Sequence, residues 1–126
     1  MRLALFCYFL VAMGLASMCY VPGAWAQAEE PRQEYVRVTF YTLRGHMASG
    51  IWTHLGAAAC SYGFPMGTVL EMPDGWQVTC LDRGHLGRST GWVDIWSPSL
   101  RWGYNQIAGE YGDYAWVTVH RWGYGE

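Results

Sequence analysis

Two aspartates, Asp82 and Asp94, are close in the sequence and carry the groups best suited to acid–base chemistry. Asp82 ends an alternating apolar run and begins a Gly-containing turn, whereas Asp94 lies in Trp92–Trp96, a segment otherwise typical of a buried strand. Burial raises a carboxyl pKa and suits the group to act as a general acid, while hydrogen bonds to the carboxylate lower that pKa. The sequence leaves both outcomes open for Asp94. It favours a structural role for Asp82, because an Asp before Arg-Gly can accept backbone N–H bonds.

Five side chains near these aspartates are candidates for binding a substrate. Arg83, His85 and Arg88 lie between the two aspartates and could bind a hydroxyl or a carboxylate of a ligand, although a solvated loop is the commoner alternative. Trp92 and Trp96 flank the second aspartate and could offer an aromatic surface to a ligand, although aromatic rings in a small domain are more often packed. We therefore predict that some, but not all, of them face a ligand.

Short segments predict strands around these candidate residues. Three of them alternate in hydrophobicity, 35–41, 76–81 and 114–120, whereas 57–60 is small and apolar and 92–96 is typical of a buried strand. The turn residues Pro73-Asp74-Gly75 predict a hairpin between two of the segments, and the Gly-rich stretch 43–56 predicts a long loop. The predicted strands are 35–41, 57–60, 68–72, 76–81, 92–96 and 114–120.

One helix is predicted, after the second aspartate. Ser97 would be its N-cap, with Pro98 at the first helical position and the end at Gly109. Five or six short strands with one helix favour a small closed barrel, because so short a sheet has exposed edges unless it closes. The fold class predicted is therefore mainly β.

The N-terminal part of the 126-residue chain has the pattern of a targeting segment. Arg2 precedes the apolar run 3–18, and Ala24-Trp25-Ala26 offers small residues where a signal peptidase would cut. We predict a signal peptide at 1–26, a disordered leader at 27–34 and one domain at 35–126, in a secreted or periplasmic protein. A retained membrane anchor is the alternative, but the apolar run barely reaches spanning length.

Outside this predicted signal the chain has two cysteines, Cys60 and Cys80. In an exported domain they predict a disulfide, which would close a loop of roughly 21 residues and contribute about 3 kcal/mol; two free thiols are the alternative. Ligand spacing for a metal is lacking, and no cofactor is predicted. The net charge of −2 gives no reason to expect nucleic-acid binding. All eight positively charged side chains are arginines, and aromatic residues make up 17% of the chain.

Several short motifs, taken in order, resemble a known family. They are Phe40-Tyr41, Ala48-Ser49-Gly50, Ala57-Ala58-Ala59, Phe64-Pro65-Met66-Gly67-Thr68, Asp82-Arg83-Gly84 and Val93-Asp94-Ile95, followed by the helix at 97–109. Their order and spacing over 38–119 are similar to those of the rare lipoprotein A family, the septal-ring lytic transglycosylases. The related 3D-domain, expansin and barwin-like proteins share the pattern. The resemblance implies a six-stranded double-psi β-barrel with one short helix after the second aspartate motif.

The resemblance further implies that Asp94 is the acid/base of an endolytic peptidoglycan lytic transglycosylase, with Asp82 as a second candidate. Such an enzyme protonates the glycosidic oxygen while the sugar's own C6 hydroxyl attacks the anomeric carbon, so one carboxyl group suffices. Two positions depart from the family pattern. Ile51 stands where active members tend to carry a glutamate, and Cys60 where they tend to carry a histidine. His46 or His54 could enter the groove from the long loop, although a loop histidine is more often solvated.

Three functions are therefore open. The first is cleavage of peptidoglycan glycan strands, the second is expansin-like binding of a cell-wall glycan without catalysis, and the third is a secreted disulfide-bonded effector or inhibitor. The expected partner is peptidoglycan or another cell-wall glycan, with no nucleic acid. We expect the mature form to be a monomer that does not span a membrane.

Overall fold

The computed structural model of the protein describes residues 30–86 and 91–125. It is mainly β: six strands close into a barrel in the order β1-β5-β2-β4-β3-β6, with one short helical region. The strands are β1 (Gln33–Tyr41), β2 (Ala57–Cys60), β3 (Val69–Glu71), β4 (Gln77–Asp82), β5 (Trp92–Trp96) and β6 (Tyr114–Arg121). The predicted fold class is confirmed.

Strand β1 is the longest and pairs with β5 in parallel and with β6 in antiparallel orientation. Its alternation places Val36 and Val38 in the barrel interior and leaves the residues between them on the outer face. The strand begins at Gln33, two residues before the predicted start, because Gln33 and Glu34 pair with β6.

The hairpin predicted around Pro73-Asp74-Gly75 is present as β3 and β4. Asp74 accepts a hydrogen bond from the backbone N–H of Trp76, and Gly75 has a φ of 92°, which glycine adopts without strain. Strand β4 also pairs in parallel with β2, and the predicted disulfide joins these two strands, since Cys60 is bonded to Cys80.

The helical region α1 spans 100–111, and its predicted bounds were wrong at both ends. Its N-cap is Ser99, not Ser97: the Ser99 hydroxyl accepts a hydrogen bond from the backbone N–H of Trp102. The region continues through a π-helical segment, Tyr104–Ala108, and ends at Tyr111 before Gly112, which has a φ of 69°. Ser97 is buried, and its hydroxyl donates to the Ser99 carbonyl.

The barrel interior is filled by aliphatic side chains from all six strands and by Ile107 of α1. Gly103 lets α1 approach the barrel, because a Cβ at that position would lie 2.3 Å from the Phe40 ring. A second, smaller cluster consists of Met47, Ala57, Leu81 and Trp96. In the described residues, no helix is both long and apolar enough to cross a bilayer.

Candidate active site

Three neighbouring strands bring the two aspartates to one cavity. Ala59 of β2 is the register partner of Asp94 on β5 and of Asp82 on β4. The Cα atoms of the two aspartates are therefore separated by two inter-strand spacings, about 10 Å. Ala59 has a small side chain, so it leaves space between them. A shift of register between Ala58 and Ala59 sets this alignment.

The cavity next to these residues has a volume of about 460 Å³. Its walls come from β1, β2, β4, β5 and the loops after β1 and β4. The lining residues are Tyr41, Leu43, Arg44, Gly45, His46, Thr53, Ala59, Asp82, Gly84, His85, Leu86, Trp92 and Asp94.

Asp94 has the environment expected of a carboxyl group whose pKa is raised. Burial raises the pKa of its carboxyl group, and the negative charge of Asp82 raises it further, while a hydrogen bond from Thr39 lowers it in part. The Thr39 hydroxyl donates to Asp94 Oδ1 at 2.7 Å and accepts from Trp92 Nε1 at 2.8 Å. Two consecutive hydrogen bonds, from Trp92 to Thr39 and from Thr39 to Asp94, thus fix the orientation of the carboxyl group.

Asp82 is held by the backbone, as an aspartate before Arg-Gly was expected to be. Its Oδ1 accepts hydrogen bonds from the N–H groups of Ala48 at 3.0 Å and Arg83 at 2.8 Å. These bonds attach the loop that contains Ala48 to the end of β4. Asp82 is thereby held in place beside the cavity, where its negative charge acts on Asp94.

Tyr41 is a site residue that sequence analysis did not single out as a functional group. It lies two residues after Thr39 and therefore on the same face of β1. Its hydroxyl is buried and lies near Asp82, but its geometry makes no hydrogen bond to any described residue. Burial raises the pKa of this phenol, and the charges of Asp82 and Asp94 raise it further. Tyr41 is therefore a neutral donor facing two carboxyl groups.

Two of the five predicted substrate-binding residues line the cavity. Trp92 and His85 line the cavity. Trp96 does not: it is 7% exposed, and its indole N–H donates to the carbonyl of Leu43. The Arg83 guanidinium also serves the scaffold, because it donates to the backbone carbonyls of Cys60, Ser61 and Phe64. Arg88 lies outside the described residues.

The long loop after β1 contributes further polar groups. His46 lines the cavity, and its Nδ1 lies 3.0 Å from the carbonyl oxygen of Gly50. Its ring also packs edge-on against Trp52 at 5.0 Å between centroids. His54, the other histidine considered, is not part of the lining. Arg44 enters the lining from the same loop, and nothing in its local sequence distinguished it from other surface arginines.

The two positions that depart from the family pattern supply no acid–base group. Ile51 is 45% exposed, and Cys60 is in the disulfide. Among the described residues, no cluster of three or more histidine, cysteine or acidic side chains is arranged to hold a metal ion. Comparison with protein-family models, with curated proteins and with solved structures finds no match to this chain.

Proposed function

We propose that this protein acts on peptidoglycan glycan strands as a lytic transglycosylase in which Asp94 is the acid/base. The observation that carries the proposal is a carboxyl group with a raised pKa, oriented by Thr39 and open to a cavity of about 460 Å³. A raised pKa keeps a carboxylic acid protonated closer to neutral pH, where it can donate its proton.

The proposed reaction needs only this one carboxyl group. Asp94 donates its proton to the glycosidic oxygen as the bond from that oxygen to the anomeric carbon breaks. The resulting carboxylate then accepts the proton of the sugar's C6 hydroxyl while the C6 oxygen bonds to the anomeric carbon, which regenerates the acid. The fixed charge of Asp82 favours the protonated form of Asp94 and stabilises positive charge that develops at the anomeric carbon.

Export to the cell envelope belongs to the same proposal. It is supported by the disulfide, since such bonds persist in oxidising compartments, and by the signal-like sequence before the barrel. The closed six-stranded barrel with a short helix after β5 is consistent with the double-psi barrel of the rare lipoprotein A family, to which the motifs are similar.

A second function, glycan binding without cleavage, is favoured by one specific observation. Ile51 and the disulfide-bonded Cys60 stand where the family tends to carry a glutamate and a histidine. A protein without these helpers would still bind a glycan through the cavity and its aromatic residues.

Analysis of the muropeptides released from purified sacculi tests the proposal. We expect wild-type protein to release anhydro-ended products and Asp94→Asn to release none while keeping its fold, because asparagine cannot supply the proton. Glu110→Gln, at an exposed site on α1, controls for the loss of one negative charge. Release of anhydro products by Asp94→Asn would refute the role of Asp94.

Asp82→Asn is the matched comparison inside the cavity. We expect it to lower the free energy of unfolding by about 1–3 kcal/mol, because an ionised acceptor of two backbone N–H bonds is lost. Thermal and urea unfolding measure this change. Cleavage should be slower but still present, because the charge of Asp82 assists the reaction while the proton comes from Asp94. If Asp82→Asn is stable but inactive while Asp94→Asn unfolds, the two roles are reversed.

A further inference from the structure

An exposed group of aromatic side chains lies on the outer face of β1 and β6, outside the cavity. This aromatic strip consists of Tyr35, Tyr114 and Trp116, which are 56%, 54% and 59% exposed. The Tyr35 ring is stacked on Tyr114 with 5.6 Å between centroids, and it lies 5.2 Å from the Trp116 ring. Exposed aromatic clusters of this kind are uncommon on a soluble domain and mark interaction surfaces.

The aromatic strip is connected to the cavity through the register of the sheet. Arg37 of β1 pairs with Tyr114 of β6 on one side and with Trp92 of β5 on the other. Its guanidinium lies over the Trp92 ring at 4.5 Å. Trp92 in turn lines the cavity and donates to Thr39, the residue that holds Asp94. The outer face is thus a continuous row from the strip to the acid.

Strand β1 gives this row its direction and length. Tyr35, Arg37, Thr39 and Tyr41 alternate onto one face, because side chains two residues apart in a strand share a face. From Tyr35 to Thr39, the register partner of Asp94, the strand extends about 13 Å. A row of that length, with rings at one end and a carboxyl group at the other, matches an extended chain of sugars better than a compact ligand.

We propose that the aromatic strip is an additional binding site for the same glycan strand, away from the bond beside Asp94. Apolar faces of sugar rings stack on Tyr35, Tyr114 and Trp116, and the tyrosine hydroxyls bond to sugar hydroxyls. Arg37 binds a carboxylate carried by the strand between the two ends. The inference rests on the proposed function, since it extends the same substrate beyond the cavity.

The test is the dependence of affinity on glycan length. The probes are a peptidoglycan disaccharide and long peptide-free glycan strands, titrated calorimetrically into wild-type protein, Trp116→Thr and Tyr114→Thr. Threonine retains the β-propensity of the strand. We expect long strands to bind each variant about tenfold more weakly than wild type, the effect typical of removing an aromatic anchor. Disaccharide binding should be unchanged.

Tyr104→Ala is the control for removing an exposed ring, because Tyr104 is 63% exposed and lies on α1 rather than on the strip. Wild-type affinity of both strip variants for long strands would overturn the inference. The inference would also be overturned if the strip variants changed only the self-association of the protein, measured by sedimentation. The strip would then bind a second copy of this chain.

The result separates the two proposals. If long strands bind through the strip but wild-type protein releases no anhydro products, the catalytic proposal fails and the strip remains a glycan site. If anhydro products appear and the strip variants bind as wild type, only the strip assignment fails. Absence of binding to either glycan refutes both.

Discussion

At the scale of single residues, the burial of Asp94 is unfavourable for its ionised form but suits a general acid. Burial disfavours its charged form, so the folded protein holds the carboxyl group protonated at a pH where the unfolded chain would ionise it. Thr39 offsets part of this effect by donating to Oδ1. A position that is unfavourable for an ionised side chain is the position where a general acid is useful.

The raised pKa predicts how stability depends on pH. The folded pKa lies above the ordinary value of 3.8. Asp94 therefore does not lower the free energy of unfolding of wild-type protein at acid pH, and it lowers it as pH rises through the folded pKa. Asp94→Asn removes that titration. We expect its free energy of unfolding to increase relative to wild type between acid and neutral pH, as measured by urea unfolding. A constant difference across that range would contradict the burial of a titrating carboxyl group.

Tyr41 allows a test that separates function from stability. Its buried hydroxyl makes no hydrogen bond to any described residue, so Tyr41→Phe removes an unsatisfied group and should leave the melting temperature unchanged or raise it. If the hydroxyl donates to the substrate, cleavage should fall by about tenfold to a hundredfold. Comparing the melting temperature and anhydro-product release of the same preparation decides this. A large loss of stability would instead mean that the hydroxyl has a partner in the fold.

At the scale of elements, β1 connects the parts of the proposed site. It contributes Tyr35 to the aromatic strip, Thr39 to the orientation of Asp94, and Tyr41 to the cavity. Its inner face meanwhile packs Val36 and Val38 in the core. A slip of one residue in its register would exchange the two faces, so the core fixes the positions of the functional side chains.

The disulfide joins β2 to β4, and we expect it to stabilise the fold. Cys60 and Cys80 are separated by 20 residues and are fully buried. Replacing both with alanine should lower the free energy of unfolding by about 3 kcal/mol, chiefly by releasing a constraint on the unfolded chain. Urea unfolding measures the change, and mass spectrometry after alkylation establishes the bond in wild type. Two thiols that alkylate without prior reduction would rule the disulfide out.

At the scale of the whole molecule, we expect the protein to bind peptidoglycan more readily than it cleaves it. Ile51 and Cys60 cannot transfer protons, and each missing polar group typically costs on the order of a hundredfold in rate. Sacculus binding and anhydro-product release should be measured together, beside a rare lipoprotein A family member that has the glutamate and histidine. Equal release rates from the two proteins would show that these groups are dispensable.

The sequence alone predicted most of the local structure, because local structure depends on neighbouring residues. Period-two alternation located β1, β4 and β6, and short apolar composition located β2 and β5. Pro73-Asp74-Gly75 located the hairpin, and Cys60 and Cys80 were the one cysteine pair outside the predicted signal. The helix bounds were wrong because Ser97 and Ser99 are both competent N-caps. Burial of the Ser97 hydroxyl, which bonds to the Ser99 carbonyl, leaves the cap to Ser99.

The tertiary structure decided the composition of the candidate site. Alternation shows which face of a strand is apolar, but it does not show which strand lies next to it. The closed barrel places β2 between β4 and β5, and only that order brings Asp82 and Asp94 to the two sides of Ala59. In the same closed barrel, Trp96 packs in the smaller core cluster and the Arg83 guanidinium donates to backbone carbonyls. These outcomes depend on contacts between residues far apart in the chain, which a local pattern does not encode.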